Sequence, residues 1–372
     1  MIVAGAGMAG LCAAARARQL GLRPEVFEKG DRPGGSMLLS SGVVWRYRTL
    51  AEFRRECPGG DETLQRLIVD RLDDGLAWLE SLGAPVLRKE TRNPHTHGWR
   101  FDPAVLTQTL TRAAGDVQLG RRLVPGTTDR PNQPPARRPT DGFSMVSPGT
   151  GTRPVVLATG GFPVRLARLL GLPLRANRWS EGDGYDFGRE RGAAATRGMA
   201  EFYGRAMPAP PARWTEAEFV DHAQLYGRFA RVVDDSGNSI AVDPEDWSEN
   251  RLVQEIARRG GTAWYVVESG ELRRQTPYGT IAEVIERARL AGGAVEERAS
   301  GSVAVRIAAA LTHTIGGLVV DTDARVLDER GRPVEGLYAA GVDAGGWSTG
   351  GYASGLAAAL VLGIIAAEAA AT

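Results

Sequence analysis

Three glycines near the start of the chain have the spacing of a phosphate-binding turn. Gly5, Gly7 and Gly10 form a G-x-G-x-x-G run between an apolar segment and the alanine-rich stretch "LCAAARARQLG". In such a run the first glycine permits a tight turn, the second lets the backbone approach a pyrophosphate, and the third allows close helix packing. Glu28, eighteen residues after Gly10, can accept hydrogen bonds from ribose hydroxyls. The pattern predicts a dinucleotide with a free 2′-hydroxyl, FAD or NAD rather than NADP.

The residues after Glu28 favour FAD over NAD. "KGDRPGGSMLLSSG" (29–42) carries a second glycine pair, Gly34 and Gly35, followed by serines. A simple NAD dehydrogenase would continue into another helix here, whereas a second phosphate-contacting loop suits a long dinucleotide bound in extended form. The sequence contains no second G-x-G-x-x-G between a strand and a helix, so it encodes no separate nicotinamide domain.

These residues need a strand–turn–helix–strand unit to position them, and residues 1–29 have that pattern. Apolar residues at helical spacing predict a helix over 62–83, and the pair Asp102-Pro103 predicts the start of another. "PVVLATGG" (154–161) is typical of a buried strand. Short strands with a turn at 328–331 are predicted within 316–341, and a last, buried helix is predicted from Gly355 onward.

Composition limits the classes of function. The 372 residues carry a net charge of +1, so we expect no nucleic-acid partner. Of 45 basic residues only Lys29 and Lys89 are lysines, which we attribute to genomic base composition. Two cysteines without a spacing pattern indicate neither a disulfide framework nor a zinc site, and suit a reducing, cytoplasmic setting. We expect no targeting segment and no membrane partner, since the chain begins directly with a strand and its apolar tail is rich in glycine and alanine.

Four motifs, in order, resemble those of a known group of flavoproteins. They are "VAGAGMAG…VFEKG", "GGSMLLSSG", "VVLATGGF" and "HTIGGLVVDTDARVLDERGRPVEGLYAAG". The set is similar to the flavoproteins related to the fumarate reductase and succinate dehydrogenase flavoprotein subunits, which include soluble fumarate reductases and 3-ketosteroid dehydrogenases. The matches span both ends of the chain, and the middle matches only loosely.

The resemblance implies an α/β fold with a Rossmann-type, glutathione-reductase-like FAD domain made from both chain ends. That domain would comprise 1–161 and 301–372, with an inserted α+β capping domain at 162–300 and the isoalloxazine where the two meet. We interpret 125–154, rich in proline, glycine and arginine, as a surface excursion. No histidine stands in the S-S-G segment where relatives carry a covalent flavin link, so we expect non-covalent FAD.

The resemblance also implies which residues contact FAD. Ser36, Ser41 and Gly42 would lie near the pyrophosphate and flavin N5, and Thr159 near the adenosine half. Relatives commonly have glutamate at the position of Val342, and the neighbouring Asp343 could take its role at the ribityl chain. The complete expected set is Gly5, Gly7, Ala9, Gly10, Glu28, Lys29, Gly34, Gly35, Ser36, Ser41, Gly42, Thr159, Gly160, Gly341, Val342, Asp343, Gly351, Gly355 and Leu356.

The catalytic expectations come from two further motifs. In the fumarate reductase branch the histidine of H-x-T-x-G-G binds a substrate carboxylate or carbonyl, which indicates His313; the alternative is a histidine that bridges loops. "GGYASG" resembles the G-Y-x-S-G turn of 3-ketosteroid Δ4-dehydrogenases, which indicates Tyr352 and Ser354; the alternative for Tyr352 is packing at the flavin edge. A dicarboxylate site would need an arginine in this turn, and residues 333–372 contain none.

A second acid or base should come from the capping domain. Tyr265 is our candidate, although it could equally belong to a strand core, and the other candidates are Tyr185, Tyr203, Tyr226 and Arg231. His95 and His97 have a metal-like spacing but no third ligand in sight, so we expect no metal.

The sequence therefore predicts a flavin enzyme with a small-molecule substrate. The expected reaction adds or removes hydrogen across a C–C bond next to a carbonyl, with a moderately apolar substrate and hydride exchanged with flavin N5. Two alternatives stay open: a flavin oxidase or monooxygenase on the same scaffold, and a flavin-binding protein without catalysis.

Overall fold

A computed structural model describes residues 1–124, the strand at 144–146 and residues 153–372 of the chain. Most of the segment 125–154, interpreted above as a surface excursion, lies outside the described residues. The helices are α1 (Met8–Gln19), α2 (Leu50–Glu56), α3 (Glu62–Ser81), α4 (Pro103–Ala114), α5 (Pro163–Leu170), α6 (Asp183–Glu190), α7 (Asn250–Arg258), α8 (Ile281–Leu290) and α9 (Gly355–Ala369).

The strands alternate with these helices in the first part of the chain and form hairpins and larger sheets later. They are β1 (Ile2–Ala4), β2 (Glu25–Phe27), β3 (Val43–Tyr47), β4 (Val86–Arg88), β5 (Thr96–Phe101), β6 (Val117–Gln118), β7 (Arg121–Leu123), β8 (Ser144–Val146), β9 (Val155–Leu157), β10 (Phe202–Pro208), β11 (Arg231–Val233), β12 (Ser239–Ile240), β13 (Thr262–Val267), β14 (Gln275–Thr276), β15 (Gly279–Thr280), β16 (Val295–Glu297), β17 (Val303–Thr314), β18 (Arg325–Leu327) and β19 (Pro333–Ala339).

The described residues divide into two compact units. Unit 1 comprises Met1–Phe162, Trp179–Ala200 and Thr314–Thr372, and unit 2 comprises Pro163–Arg178 and Glu201–His313. This division differs from the expected domains in two places, each with a local cause.

Residues 179–200 were expected in the capping domain but belong to unit 1. Asp183 in this segment forms an ion pair with Lys29, and the Gly184 amide donates to the Thr159 hydroxyl. Residues 301–313, expected in the FAD domain, form most of β17, whose residues 303–308 pair with β13 of unit 2.

Unit 1 is built on a six-stranded sheet with the order β18-β19-β9-β1-β2-β6. The pairs from β19 to β6 are parallel, and only β18 is antiparallel to its neighbour. The first βαβ unit produces this geometry, because parallel neighbours need a crossover helix, here α1. The Rossmann-type α/β fold expected from the sequence is therefore present.

Helices α1 and α9 pack against each other on small residues. A Cβ on Gly363 of α9 would lie 2.5 Å from the Ala9 carbonyl oxygen of α1, so glycine is what permits this approach. Helix α9 is buried on all sides from Ala357 to Ala367, as expected for a helix without a polar face. No helix within the described residues has both the length and the apolar character needed to cross a bilayer.

Capping residues set the helix starts that the sequence predicted. Asp61 accepts from the Leu64 amide at the start of α3, and Asp102 accepts from two amides of α4 with Pro103 at the first helical position. Strand β9 lies within the predicted 154–161, and Asp328 and Gly331 form the predicted turn between β18 and β19.

A three-stranded antiparallel sheet, β3-β5-β4, completes the part of unit 1 that concerns the site. Trp45 pairs with Gly98 across it, and a Cβ on Gly98 would lie only 2.1 Å from the Val44 carbonyl oxygen. Trp45 and Tyr47, two residues apart on β3, therefore share one buried face next to a strand that approaches closely.

Unit 2 contains a second six-stranded sheet, with the path β10-β17-β13-β11-β12 and β16 paired to β17. The pairs β11–β12, β11–β13, β13–β17 and β16–β17 are antiparallel. Helix α7 contacts β10 and β13, and helix α8 is capped by Thr280 and Glu283.

Candidate functional site

The glycines of the first turn are required for two different reasons. A Cβ on Gly5 would lie 2.2 Å from the Ala158 carbonyl oxygen, and one on Gly10 would lie 1.9 Å from the Gly5 carbonyl oxygen. These two glycines are dictated by the protein's own packing. A Cβ on Gly7 would meet no atom of the described residues within 4 Å. Gly7 precedes the first residue of α1, where backbone amides and the helix dipole favour an anion.

The second glycine pair lies directly beside the first turn. The Gly34 amide donates to the Ala6 carbonyl over 2.7 Å, and Gly34 forms a bridge with Gly7. Gly34 and Gly35 have φ values of 109° and 49°, a region that glycine adopts without strain. Ser36, next in the chain, is exposed. Two backbone turns with few side chains thus line one end of α1.

Glu28 is held in place by the same two turns. Its carboxylate accepts from the Ala6 amide over 2.8 Å and from the Gly30 amide over 2.6 Å. The side chain is buried, and burial raises the pKa of the carboxyl group against the opposing effect of those two hydrogen bonds. The carboxylate is therefore oriented at the end of β2, where the sequence predicts a ribose acceptor.

Lys29 lies in a buried group of charges that the sequence did not reveal. Its ammonium pairs with Asp183 over 3.1 Å and with Glu181, and Arg122 donates to the other Asp183 oxygen over 2.8 Å. Asp183, the first residue of α6, links Arg122 of β7 and Lys29, two residues after β2. These segments are distant in sequence, so spacing alone gives no signal for it.

Asp343 holds the loop after β9. Its carboxylate accepts from the Thr159 amide, from the Thr159 hydroxyl over 3.1 Å and from the Gly161 amide over 3.0 Å. The residue is fully buried, and burial raises the pKa of its carboxyl group. Thr159, Gly160 and Asp343, expected at opposite parts of FAD, are thus neighbours in the structure.

Several of the remaining expected FAD contacts lie near α9. Gly341 approaches Ala9 of α1, since a Cβ on it would lie 3.1 Å from the Ala9 Cβ. A Cβ on Gly351 would lie 1.9 Å from the Glu56 carbonyl oxygen, so the turn before α9 packs tightly on the end of α2. Ser41 and Gly42 lie elsewhere, before β3, where a Cβ on Gly42 would lie 2.0 Å from the Phe101 carbonyl oxygen. The other expected contacts, Val342, Gly355 and Leu356, are half-buried.

Tyr352 is half-buried and lies beside an aromatic group on β3. Its ring meets the Trp45 ring edge-on, with centroids 5.4 Å apart and an interplanar angle of 65°. Its carbonyl oxygen accepts from the Tyr47 hydroxyl over 2.6 Å. Ser354, two residues on, is the N-cap of α9 and its Oγ accepts from the Ala357 amide over 3.3 Å. The structure thus brings Tyr352 and Ser354 together at a helix N-terminus.

The other two expected catalytic residues lie in unit 2. His313, near the end of β17, is half-buried, and its ring stacks on Tyr203 with centroids 5.2 Å apart. The Arg205 guanidinium lies over the Tyr203 ring at 4.9 Å. Tyr265 is fully buried in β13, and burial raises the pKa of its phenol well above the usual value. Its hydroxyl has no hydrogen-bond partner among the described residues.

The other tyrosine and arginine candidates are in ordinary surroundings. Tyr226 is fully buried and donates to the Gln224 side chain over 2.8 Å, whereas Tyr185 packs on Phe162. Arg231 is exposed. None of the three therefore has a more reactive setting than the residues described above.

The described residues contain no group of three side chains able to hold a metal ion. His97, one of the two histidines with metal-like spacing, instead contacts Asp73 over 3.1 Å. Arg46 donates to the other oxygen of the same carboxylate over 2.9 Å. His97 thus lies against a surface carboxylate that Arg46 also binds.

The arrangement around α1 fits an extended dinucleotide. The open space beside Gly7, the adjoining Gly34 turn and the oriented Glu28 carboxylate lie in sequence along β1, β2 and the start of α1. A diphosphate between two sets of backbone amides and a ribose beside a carboxylate are the contacts that such a ligand needs.

Two residues that hold the turn before α9 were not found from the sequence. Gln65 is completely buried on α3, and its amide donates to the Cys57 carbonyl over 2.9 Å and to the Trp347 carbonyl over 3.0 Å. A polar residue beside the apolar positions of an amphipathic helix was the available signal. Tyr47 gave no such signal, because tyrosine is common in strands.

Comparisons with known proteins agree with this geometry. A family model described as FAD binding domain matches residues 149–358, and one described as NAD(P)-binding Rossmann-like domain matches residues 3–41. The chain is 23% identical over 435 residues to a probable fumarate reductase, Ifc3, of Shewanella frigidimarina (strain NCIMB 400), covering 93% of this chain and 70% of that protein.

Two further similarities cover nearly the whole chain. An NADH:fumarate oxidoreductase of Klebsiella pneumoniae (strain 342) is 23% identical over 418 residues, and the match spans 93% of this chain but only 44% of the longer relative. The 3-ketosteroid-Δ4-(5α)-dehydrogenase of Rhodococcus jostii RHA1, solved with 4-androstene-3,17-dione, has the same fold. It is 20% identical with a TM-score of 0.71, covering 100% of this chain and 96% of that one.

Proposed function

The chain belongs to the FAD binding domain family, and on that premise we propose that it adds or removes hydrogen across a C–C bond next to a carbonyl of a moderately apolar substrate. Its class, an FAD-dependent oxidoreductase acting on C–C bonds, is that of its relatives. The observation that carries the finer proposal is Tyr352, a half-buried phenol beside Trp45 in the turn before α9.

FAD, when bound, supplies the group that accepts or donates the hydride. The protein's part is to bind the carbonyl and to move protons. The Tyr352 hydroxyl can donate a hydrogen bond to the carbonyl oxygen, which acidifies the adjacent C–H group. The Ser354 hydroxyl accepts from the Ala357 amide and keeps its own proton for donation, so it can support the same oxygen.

The residues around Tyr352 favour a neutral carbonyl compound over a dicarboxylate. The turn and the helix after it contain no arginine from position 333 to 372. Carboxylates are usually bound by guanidinium groups with two parallel hydrogen bonds. Trp45 instead presents an apolar ring next to the phenol. The first substrate to try is therefore a cyclic ketone, such as the 4-androstene-3,17-dione present in the Rhodococcus enzyme's structure.

The proposal is tested by flavin absorbance without oxygen. Saturated cyclic ketones should bleach the oxidised flavin band, or enones should restore it in the reduced protein, while succinate and fumarate should do neither. Tyr352→Phe should lower turnover at least about 100-fold, since proton donation contributes about that much. Tyr338→Phe is the matched control, because its hydroxyl donates to a backbone carbonyl elsewhere in unit 1.

Two results would contradict the proposal. Full turnover by Tyr352→Phe, or reduction by dicarboxylates alone, would remove Tyr352 from the reaction.

We also propose that His313 binds substrate, for which His313→Ala should raise KM.

Rapid mixing of the reduced protein with oxygen separates the oxidase and monooxygenase alternative, since only those enzymes reoxidise quickly or form a transient oxygen adduct.

We further propose a cytoplasmic location. Cys12 and Cys57 are both buried thiols, and burial raises the pKa of the Cys12 thiol, so neither is poised for exchange.

A further inference from the structure

We propose that Tyr47 is a positioning residue that fixes the catalytic phenol of Tyr352. This inference rests on the proposed function, because it gives Tyr47 its role through Tyr352. It concerns a single hydrogen bond, from the Tyr47 hydroxyl to the Tyr352 carbonyl oxygen over 2.6 Å, between residues 305 positions apart in the chain.

The hydrogen bond comes from a rigid donor. Tyr47 is 2% exposed and its ring packs on Phe53, with centroids 5.2 Å apart. Strand β3, which carries it, pairs with β5 at each of its five residues. Gly98 lets the two strands approach closely at Trp45. A side chain on such a strand keeps its position better than one on a loop.

The ring of Tyr352 is held by the same strand. Trp45 meets the Tyr352 ring at 5.4 Å and the Tyr47 ring at 5.4 Å, in both cases edge-on. Trp45 is 7% exposed, so it cannot swing away. One strand therefore fixes Tyr352 twice, at the carbonyl through Tyr47 and at the ring through Trp45.

The start of the same turn has separate anchors. Gln65 donates to the Trp347 carbonyl, and the Gly59 amide donates to the Thr349 carbonyl over 3.1 Å. After these contacts the chain passes through Gly350, with a φ of 83°, and Gly351. The Gly351 amide donates to the Ser348 carbonyl over 3.1 Å, and the Tyr47 hydrogen bond adds a restraint at the next residue, Tyr352.

Loss of this hydrogen bond should lower catalysis more than binding. A reacting group displaced by a fraction of an ångström slows the chemical step, while apolar contacts to the substrate persist. Tyr47→Phe keeps the ring and both ring contacts and removes only the hydroxyl. We expect kcat for the ketone that best reduces the wild-type flavin to fall about three- to tenfold, with KM within about twofold.

A second measurement does not require a substrate. Hydrogen–deuterium exchange of the FAD-bound protein reports the backbone of the peptide that covers residues 348–356. Tyr47→Phe should speed exchange in this peptide at least about threefold, because the carbonyl of Tyr352 loses its restraint. Tyr338→Phe removes an equivalent hydroxyl, which donates to the Ala369 carbonyl, and should leave both kcat and this peptide unchanged.

The two measurements separate the failure of this inference from that of the proposed function. Unchanged exchange in Tyr47→Phe overturns the positioning role, and so does a kcat equal to that of the wild type. If no ketone reduces the wild-type flavin, the proposed function fails. The exchange result then decides alone whether Tyr47 fixes the turn.

Discussion

Gly7 and Gly10 belong to one turn, but they lack side chains for different reasons. A Cβ on Gly10 would collide with the Gly5 carbonyl oxygen, whereas a Cβ on Gly7 would point into space that the described residues leave open. Gly7 has a φ of −76°, which any residue adopts, so its own backbone does not require glycine either. We propose that the ligand is what requires glycine there.

The two positions should therefore respond differently to alanine. Gly10→Ala should lower the free energy of unfolding of the apoprotein by about 1–3 kcal/mol or more, because the added methyl group overpacks a backbone contact. Gly7→Ala should leave it within about 0.5 kcal/mol and weaken FAD binding instead. Urea unfolding of the apoprotein and a titration with FAD measure the two effects. Equal losses of stability would contradict this division.

Sequence patterns found those residues whose role is local. The glycine turn, the helix start at Asp102 and the burial of α9 follow from neighbours within a few positions. The hydrogen bonds of Asp343 to Thr159 and Gly161, and those of Gln65, were beyond that range, since they join segments that only the folded chain brings near. Long-range hydrogen bonds leave no periodic signal in the sequence. For the same reason the sequence did not show that residues 179–200 belong to unit 1 rather than to the inserted domain.

Helix α7 begins in an unusual way, with a buried acid at its N-cap. Glu249 has a φ of 53°, which is strained for a residue with a side chain. Its carboxylate accepts from the amides of Gly227 and Arg228 over 3.0 and 3.2 Å. Burial nevertheless raises its pKa to about 7, and the nearby Arg205 and Arg228 only partly oppose this effect. The phenols of Tyr226 and Tyr265 also face this carboxylate.

This group should make stability depend on pH. Since its pKa is raised on folding, Glu249 favours the folded state below the unfolded value of 4.5, and that contribution is lost as the pH rises toward 7. The difference corresponds to roughly 3 kcal/mol. Thermal midpoints measured from pH 5 to 8 should fall less steeply for Glu249→Gln than for the wild type. Parallel curves for the two proteins would show that Glu249 stays ionised on folding.

The residues of unit 1 that flank the segment Glu201–His313 lie close together. Thr196 and Gly317 exchange two hydrogen bonds, over 2.9 and 3.0 Å, just outside the points where Glu201–His313 begins and ends. A Cβ on Gly316 would also lie 2.7 Å from the Met199 Cα. A short linker can therefore replace Glu201–His313 without stretching unit 1.

Such a shortened protein should still bind FAD, because the turns around Gly7 and Gly34, with Glu28, all lie in unit 1. We expect a dissociation constant within about tenfold of the full chain's and no reduction by ketones. Flavin absorbance retained after gel filtration measures binding. A folded but colourless protein would show that FAD contacts outside unit 1 are indispensable.

The position of β19 between β9 and β18, with α9 against α1, has a consequence during translation. Strand β1 and α1 leave the ribosome well before the strand and helix that complete their unit, which are about 330 residues later in the chain. At about 5–20 residues per second, the nascent chain exposes the small-residue face of α1 for roughly 20–70 s, and one edge of β9 for roughly 9–35 s. The strand and helix that complete unit 1 around the FAD-binding turns are therefore available only late in synthesis.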